Sequence, residues 1–146
     1  MPSHYQELKI ETRQSFEVLD ITTHIRSLVT ASGIVEGMIT VSSLHTTCAL
    51  TVNENEKLLV TDIREFFLGL ADPDAGYEHN KLHLRPDIPP DEPENAHAHL
   101  IAMLLGNSET LAIHDGEPVI GRYQSVLLLE MDGPRERRLA AQILGA

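Results

Sequence analysis

The chain has no tryptophan, a single cysteine, and no apolar run approaching the roughly 20 residues that span a bilayer. Each shortage excludes something. A lone Cys48 cannot close an intrachain disulfide, so no disulfide framework supports the fold, and a cytoplasmic setting is expected. With aromatics at 4%, the core must be built from Leu, Ile, Val, Ala and Met. Basic residues number 11 against 22 acidic ones, and the formal net charge of -11 removes the basic face that phosphate-backbone binding requires. Neither nucleic acid nor a membrane is an expected partner. A small phosphorylated ligand held by one or two arginines stays compatible with that charge. The opening stretch MPSHYQELKIET is polar and lacks the apolar centre of a secretory signal.

At 146 residues the chain fits one domain, residues 1–146, able to bury about two-thirds of its unfolded surface. Alternation marks strands over Tyr5 to Thr12 and Ser15 to Leu19, which pair as a hairpin around Arg13-Gln14. The period then lengthens. Ile21, Ile25, Leu28 and Val29 share a helical face between Asp20 or Thr22 as cap and Gly33 as stop. Strands follow at Met38 to Ser42 and Cys48 to Val52, then a helix from about Asn55 to Leu70 with Leu59, Ile63, Phe66, Phe67 and Leu70 as its apolar stripe. Ala71 to Glu94 reads as a long proline-rich loop, functional rather than disordered because it holds His79 and His83. A further helix starts at Asn95 as N-cap and ends near Gly106, burying Ala96, Leu100, Met103 and Leu104. Asp115-Gly116 joins a hairpin of Thr110 to His114 with Pro118 to Ile120. Val126 to Leu129 is continuous enough for a strand buried on both faces, and Arg137 to Leu144 suits a closing strand or a short helix, the strand being favoured. The class is α+β with much antiparallel sheet.

Eight histidines in an acidic chain raise the question of a metal, since neutral imidazole is a common zinc ligand. In the segment NAHAHL, His97 and His99 point roughly 200° apart on a helix, so His99 with Asn95 forms the inward set and His97 is solvated. His45 and Cys48 fall on opposite sides of an extended segment, which argues against a Cys-His nucleophile; Cys48 reads as a small core residue. Asn53 and Glu54, at a strand-to-helix junction, serve equally as helix-end residues or as site residues. In EMDGPRERR, Glu130 and Asp132 lie two apart on one strand face before Arg135, a set that suits a cation and an anion or a salt-bridged strand end. No P-loop, nucleophile elbow, His-Glu-x-x-His helix or dinucleotide fingerprint occurs.

Together these segments resemble a known family. The matching pieces are HTT-x-A-L-x-x-NENE at 45–56, Asp62, His79-Asn80, NAHAHL at 95–100 and GNS at 106–108. They continue through Gly116 to Gln124 and EMDGPRERR at 130–138. The chain is similar to the YjbQ family, also called the secondary thiamine-phosphate synthase family, over nearly its whole length and in order. Two departures stand out: Gly121-Arg122-Tyr123-Gln124 replaces the family's Gly-Thr-Trp-Gln, and the 81–94 loop is longer.

The resemblance implies an α+β fold with a β-sandwich of mostly antiparallel strands and two to three helices, assembled as a homotrimer. It implies a weak thiamine-phosphate synthase activity, joining a pyrimidine diphosphate to a thiazole phosphate, and a divalent metal, zinc by preference. Carried onto this sequence, the metal ligands are His45, His79 and His99. Glu54, Glu130 or Asp132 would supply the acid or base; Asn53, Asn95 and Gln124 would hydrogen-bond the substrate; Arg135 would meet its phosphate. Two other classes fit the same residues: a metal-dependent hydrolase or phosphatase of small phosphorylated substrates, and a non-catalytic ligand-binding trimer.

Overall fold

Apolar alternation and the buried Val126–Leu129 run determine how the layers stack. A computed structural model of the chain, describing all 146 residues, has eight strands and three α-helices. In chain order they are β1 (Ser3–Glu11), β2 (Glu17–Asp20), α1 (Thr22–Ser32), β3 (Gly37–Ser43), β4 (Cys48–Asn53) and α2 (Lys57–Leu70). Then come α3 (Ala96–Leu105), β5 (Ser108–His114), β6 (Glu117–Pro118), β7 (Ser125–Glu130) and β8 (Glu136–Gly145). A five-stranded sheet runs β1-β8-β3-β5-β6 and a three-stranded sheet runs β2-β7-β4, with all pairings antiparallel. No helix is long and apolar enough to cross a membrane.

The small sheet is the middle layer. One face, with Cys48, Leu50, Val126 and Leu128, packs on Ile39, Val41, Leu139, Ala141 and Ile143 of the large sheet and on Ile25, Leu28 and Val29 of α1. Its other face, with Ala49, Leu127 and Leu129, packs on Ala98 and Ile101 of α3 and on Ile63 and Phe67 of α2. Hence Leu127 and Leu128, neighbours facing opposite ways, are both fully buried. At about 25 cal/mol per Å² of apolar surface, such a doubly covered strand is where burial contributes most.

Local chemistry ends α1 as expected: Gly33 sits at φ 71, the left-handed conformation that glycine adopts without a Cβ penalty. The β5–β6 hairpin forms across Asp115-Gly116. Other expectations fail. The first two strands do not pair with each other; β1 joins β8 in the large sheet and β2 joins β7 in the small one. The expected α3 stripe holds only at Ala96, which is buried. Leu100, Met103 and Leu104 are exposed, while Ala98 and Ile101 go inward. Its sequence, AHAHLIAMLL, is apolar nearly all round, so periodicity cannot choose a face. On α2, Ile63 and Phe67 pack on the sheet, but Phe66 and Leu70 point to solvent.

Candidate functional site

Residues from four parts of the chain meet at one end of the small sheet, around a hollow of about 510 Å³. The turn between β3 and β4 brings His45, the 71–94 loop brings His79 and Arg85, the start of α3 brings Asn95 and His99, and the β7–β8 turn brings Asp132 and Arg135. The loop is not featureless. It winds into two 3₁₀ turns, Glu78–Asn80 and Leu82–Leu84, closed by Arg85 donating from Nη1 to the His79 carbonyl at 3.2 Å and pairing with Glu92 at 3.4 Å.

Asn95 stands at the N-cap position of α3, yet its side chain does not cap. Asn80 does that instead, its Oδ1 accepting from the Ala96 N–H at 3.1 Å. The freed Asn95 amide donates from Nδ2 to Asp132 Oδ2 at 2.7 Å, and Arg135 Nη2 donates to the same oxygen at 2.9 Å. Because an ionised carboxylate only accepts, Asn95 must turn its nitrogen to Asp132 and its Oδ1 away. That Oδ1 is buried and has no partner in the chain; neither has His79 Nε2. The His79 and His99 rings stack edge to face with centroids 4.8 Å apart. Burial, then the neighbouring His79, holds His99 below the usual imidazole range, so it stays neutral.

The carboxylates separate sharply. Glu130 and Asp132 were expected on one face, but β7 ends at Glu130, and only Asp132 reaches the hollow. Glu130 is fully buried and bound by Arg137, which is 2% exposed, through Nε at 2.6 Å and through Nη2. It also accepts from Thr12 Oγ1 at 2.8 Å and from the Asp132 N–H at 2.8 Å. Burial alone would raise its pKa; these donors outweigh burial and hold it below the usual carboxylate range. With its oxygens so engaged, Glu130 is a structural anion and not a proton-transfer group.

Three expected site residues lie elsewhere. Asn53, Glu54 and Gln124 do not line the hollow. The strand register explains why: Cys48 pairs with Glu130 at the hollow end, whereas Asn53 pairs with Ser125 at the other. Five strand steps separate the two ends by about 17 Å. At the far end Asn53 Oδ1 accepts from the Glu54 N–H at 2.7 Å, and Gln124 Oε1 accepts from the Gly121 N–H at 2.7 Å, both closing turns. His97 is half-buried rather than solvated, and burial lowers its pKa.

The three imidazoles expected to hold a metal share the hollow, but not on equal terms. His45 Nε2 accepts from the Arg138 backbone N–H at 2.8 Å, which occupies the lone pair a metal would need. The one group of three His, Cys or carboxylate donors lying within 4.8 Å of one another is elsewhere, at Glu36, His114 and Asp115 on the surface. His114 there is simply paired with Glu36 at 2.9 Å.

Sequence reasoning missed Arg137, Arg85, Asp91 and Glu92, all of which line the hollow. For Arg137 a signal existed: it shares strand parity with Leu139, Ala141 and Ile143, all buried. A second, more apolar hollow of about 370 Å³ adjoins the first, lined by Cys48, Ala102, Met103 and Gly106 and sharing His45, Thr46 and His99 with it.

Comparison with known proteins agrees with this architecture. The family described as UPF0047 protein YjbQ-like matches residues 6–146. A UPF0047 protein of Methanothermobacter thermautotrophicus is 37% identical over 145 residues, 99% of this chain and 94% of that one. One of Archaeoglobus fulgidus is 38% identical over 138 residues, 94% of this chain and 99% of that one. Among solved structures, a YbjQ-like protein of unknown function from Sulfolobus solfataricus superposes with a TM-score of 0.89 at 32% identity, covering 99% of this chain and 98% of its own.

Proposed function

This chain belongs to the YjbQ family, the UPF0047 proteins, and from that premise we propose that its polar hollow binds a small phosphorylated substrate and acts on it as an enzyme. The observation that carries the reading is the pair of buried, unpartnered atoms, His79 Nε2 and Asn95 Oδ1, in a hollow that Arg85, Arg135 and Arg137 also line. A buried polar atom without a partner costs about 1–3 kcal/mol. Two in one wall are accounted for if a bound molecule completes them.

The roles follow from the chemistry of each group. The arginines meet phosphoryl oxygens through charge-assisted hydrogen bonds. Asn95 Oδ1 accepts from a donor on the substrate. Asp132, the one carboxylate of the expected three that faces the hollow, acts as acid or base. The first reaction to test is the coupling of a pyrimidine diphosphate to a thiazole phosphate. There the pyrimidine-methylene C–O bond breaks, diphosphate departs with the electron pair, and the thiazole nitrogen forms the new C–N bond. The arginines would stabilise the charge gathering on the departing oxygens.

A divalent metal fits through two of the three imidazoles. His79 offers an unpartnered Nε2, and His99 beside it is neutral. A zinc ion bound there would act as a Lewis acid toward a phosphoryl oxygen. His79→Ala and His99→Ala are expected to lose zinc in a metal titration with coupling assayed in parallel; unchanged zinc content in both would remove the metal from this reading.

A hydrolase reading has one observation in its favour. Leu44 is the only large apolar side chain lining the main hollow, a poor surface for two heterocycles. Faster cleavage of phosphate esters than coupling would establish it, and tight binding without turnover of any phosphorylated compound would leave a ligand-binding protein. A homotrimer, in turn, would cover the exposed apolar surface of α2 and α3, where Leu58, Phe66, Leu70, Met103 and Leu104 are each more than half exposed.

A further inference from the structure

The floor of the hollow carries two hydrogen-bond donors whose direction is fixed by the fold. His45 Nε2 accepts from the Arg138 N–H, a group that can only donate. The neutral ring must therefore carry its proton on Nδ1. Burial, then the nearby Arg137 charge, keeps the ring neutral. Its Nδ1–H has no acceptor within the chain, and the residue lines the hollow.

Arg137 supplies the second donor. Its Nε and Nη2 are bound by Glu130, and Nη2 also donates to the Thr47 hydroxyl at 2.9 Å. Only Nη1 is left without a partner, on a side chain that is 2% exposed yet lines the hollow. The two donors share one frame. Thr47, which steadies Arg137, lies two residues after His45, and Arg138, which steadies His45, directly follows Arg137.

We infer that the His45 Nδ1–H and the Arg137 Nη1 together receive the phosphoryl group, so that His45 is an anion-binding residue and not a metal ligand. This rests on the reading of the hollow as a phosphate-ester site and adds which atoms seat the ester. Donors on side chains already held by hydrogen bonds cost little ordering entropy when an anion arrives, unlike a free surface lysine. Glu130 is the necessary counterpart, because it holds the guanidinium in place while leaving one edge free. A carboxylate ligand would be served by the same two donors, but a phosphoryl group also uses the further oxygens that Arg85 and Arg135 can reach across the hollow.

The test combines a spectroscopic and a binding readout. Nitrogen-15 NMR of His45 in the wild-type protein is expected to show the Nδ1–H tautomer, unchanged by excess zinc; an Nε2–H tautomer or a zinc-shifted ring overturns the assignment. Calorimetric titration with inorganic phosphate and with acetate compares wild type, His45→Ala and His45→Asn. Alanine is expected to weaken phosphate binding by about ten- to a hundred-fold, the loss of one hydrogen bond to a charged group. Asparagine, which restores a donor near the Nδ1 position, is expected to recover most of that loss. Zinc content should be equal in all three. Phosphate binding equal in wild type and His45→Ala, binding of acetate in preference to phosphate, or loss of zinc from both variants overturns the inference and leaves the wider reading standing. A wild-type protein that binds no phosphate at all overturns both.

Discussion

The two ends of the three-stranded sheet carry similar residues and use them differently. At one end Asn95 and His79, which line the hollow, each leave a buried polar atom without a partner; at the other, Asn53 and Gln124 spend their side-chain oxygens on turns at the surface. An asparagine at a helix start is ordinarily a cap. Asn95 escapes that duty only because Asn80, fifteen residues earlier, performs it. The difference shows that residue type alone does not mark a site here. What marks it is a polar group whose usual local partner has been supplied from elsewhere.

The comparison is most forcefully broken at Glu130. Replacing Arg137 by methionine strands a fully buried carboxylate, and the expected loss is about 3–5 kcal/mol, read as a lowered urea midpoint. Acid should reach the same pair more gently. The folded-state pKa of Glu130 lies below its unfolded value, so its contribution is complete above the unfolded value and is lost as pH falls through the folded one. Stability should thus decline as the pH drops below about 4.3, and Glu130→Gln should flatten that decline while lowering stability at neutral pH. If the chain assembles as the proposed homotrimer, Phe66→Asp should shift the mass measured by light scattering from trimer to monomer; a trimer mass unchanged by the substitution would place the assembly surface away from Phe66. The smallest effect is expected at the far end. Asn53→Ala with Glu54→Gln should leave phosphate affinity at the hollow unchanged. A clear loss would mean that the far end of one subunit completes the hollow of another.

Much of this was legible in the sequence. The hairpin at Asp115-Gly116, the glycine stop of α1 and the doubly buried β7 all rest on local rules, and local rules held. Family motifs assigned His45, His79 and His99 to one site, and all three do line one hollow. What could not be read was non-local. Strand alternation cannot say whether β2 joins β1 or crosses to β7, because either partner buries the same face. Nor can it say where a strand stops: the parity argument joining Glu130 to Asp132 failed because the strand ended between them. His45 was assigned to a metal by motif, and the amide that engages its ring belongs to a residue 93 positions away.

The first and last strands lie side by side in opposite directions, with Ser3 across from Leu144 and Glu11 across from Glu136. A pull applied between residues near these two ends would therefore load the ladder at its outermost rung. Rungs would open in succession, as a zip does, rather than resisting together in shear. The β1–β8 seam along the edge of the large sheet is accordingly a line of sequential opening, and the rungs that open last, where Lys9 and Ile10 face Arg138 and Arg137, are those beside the hollow.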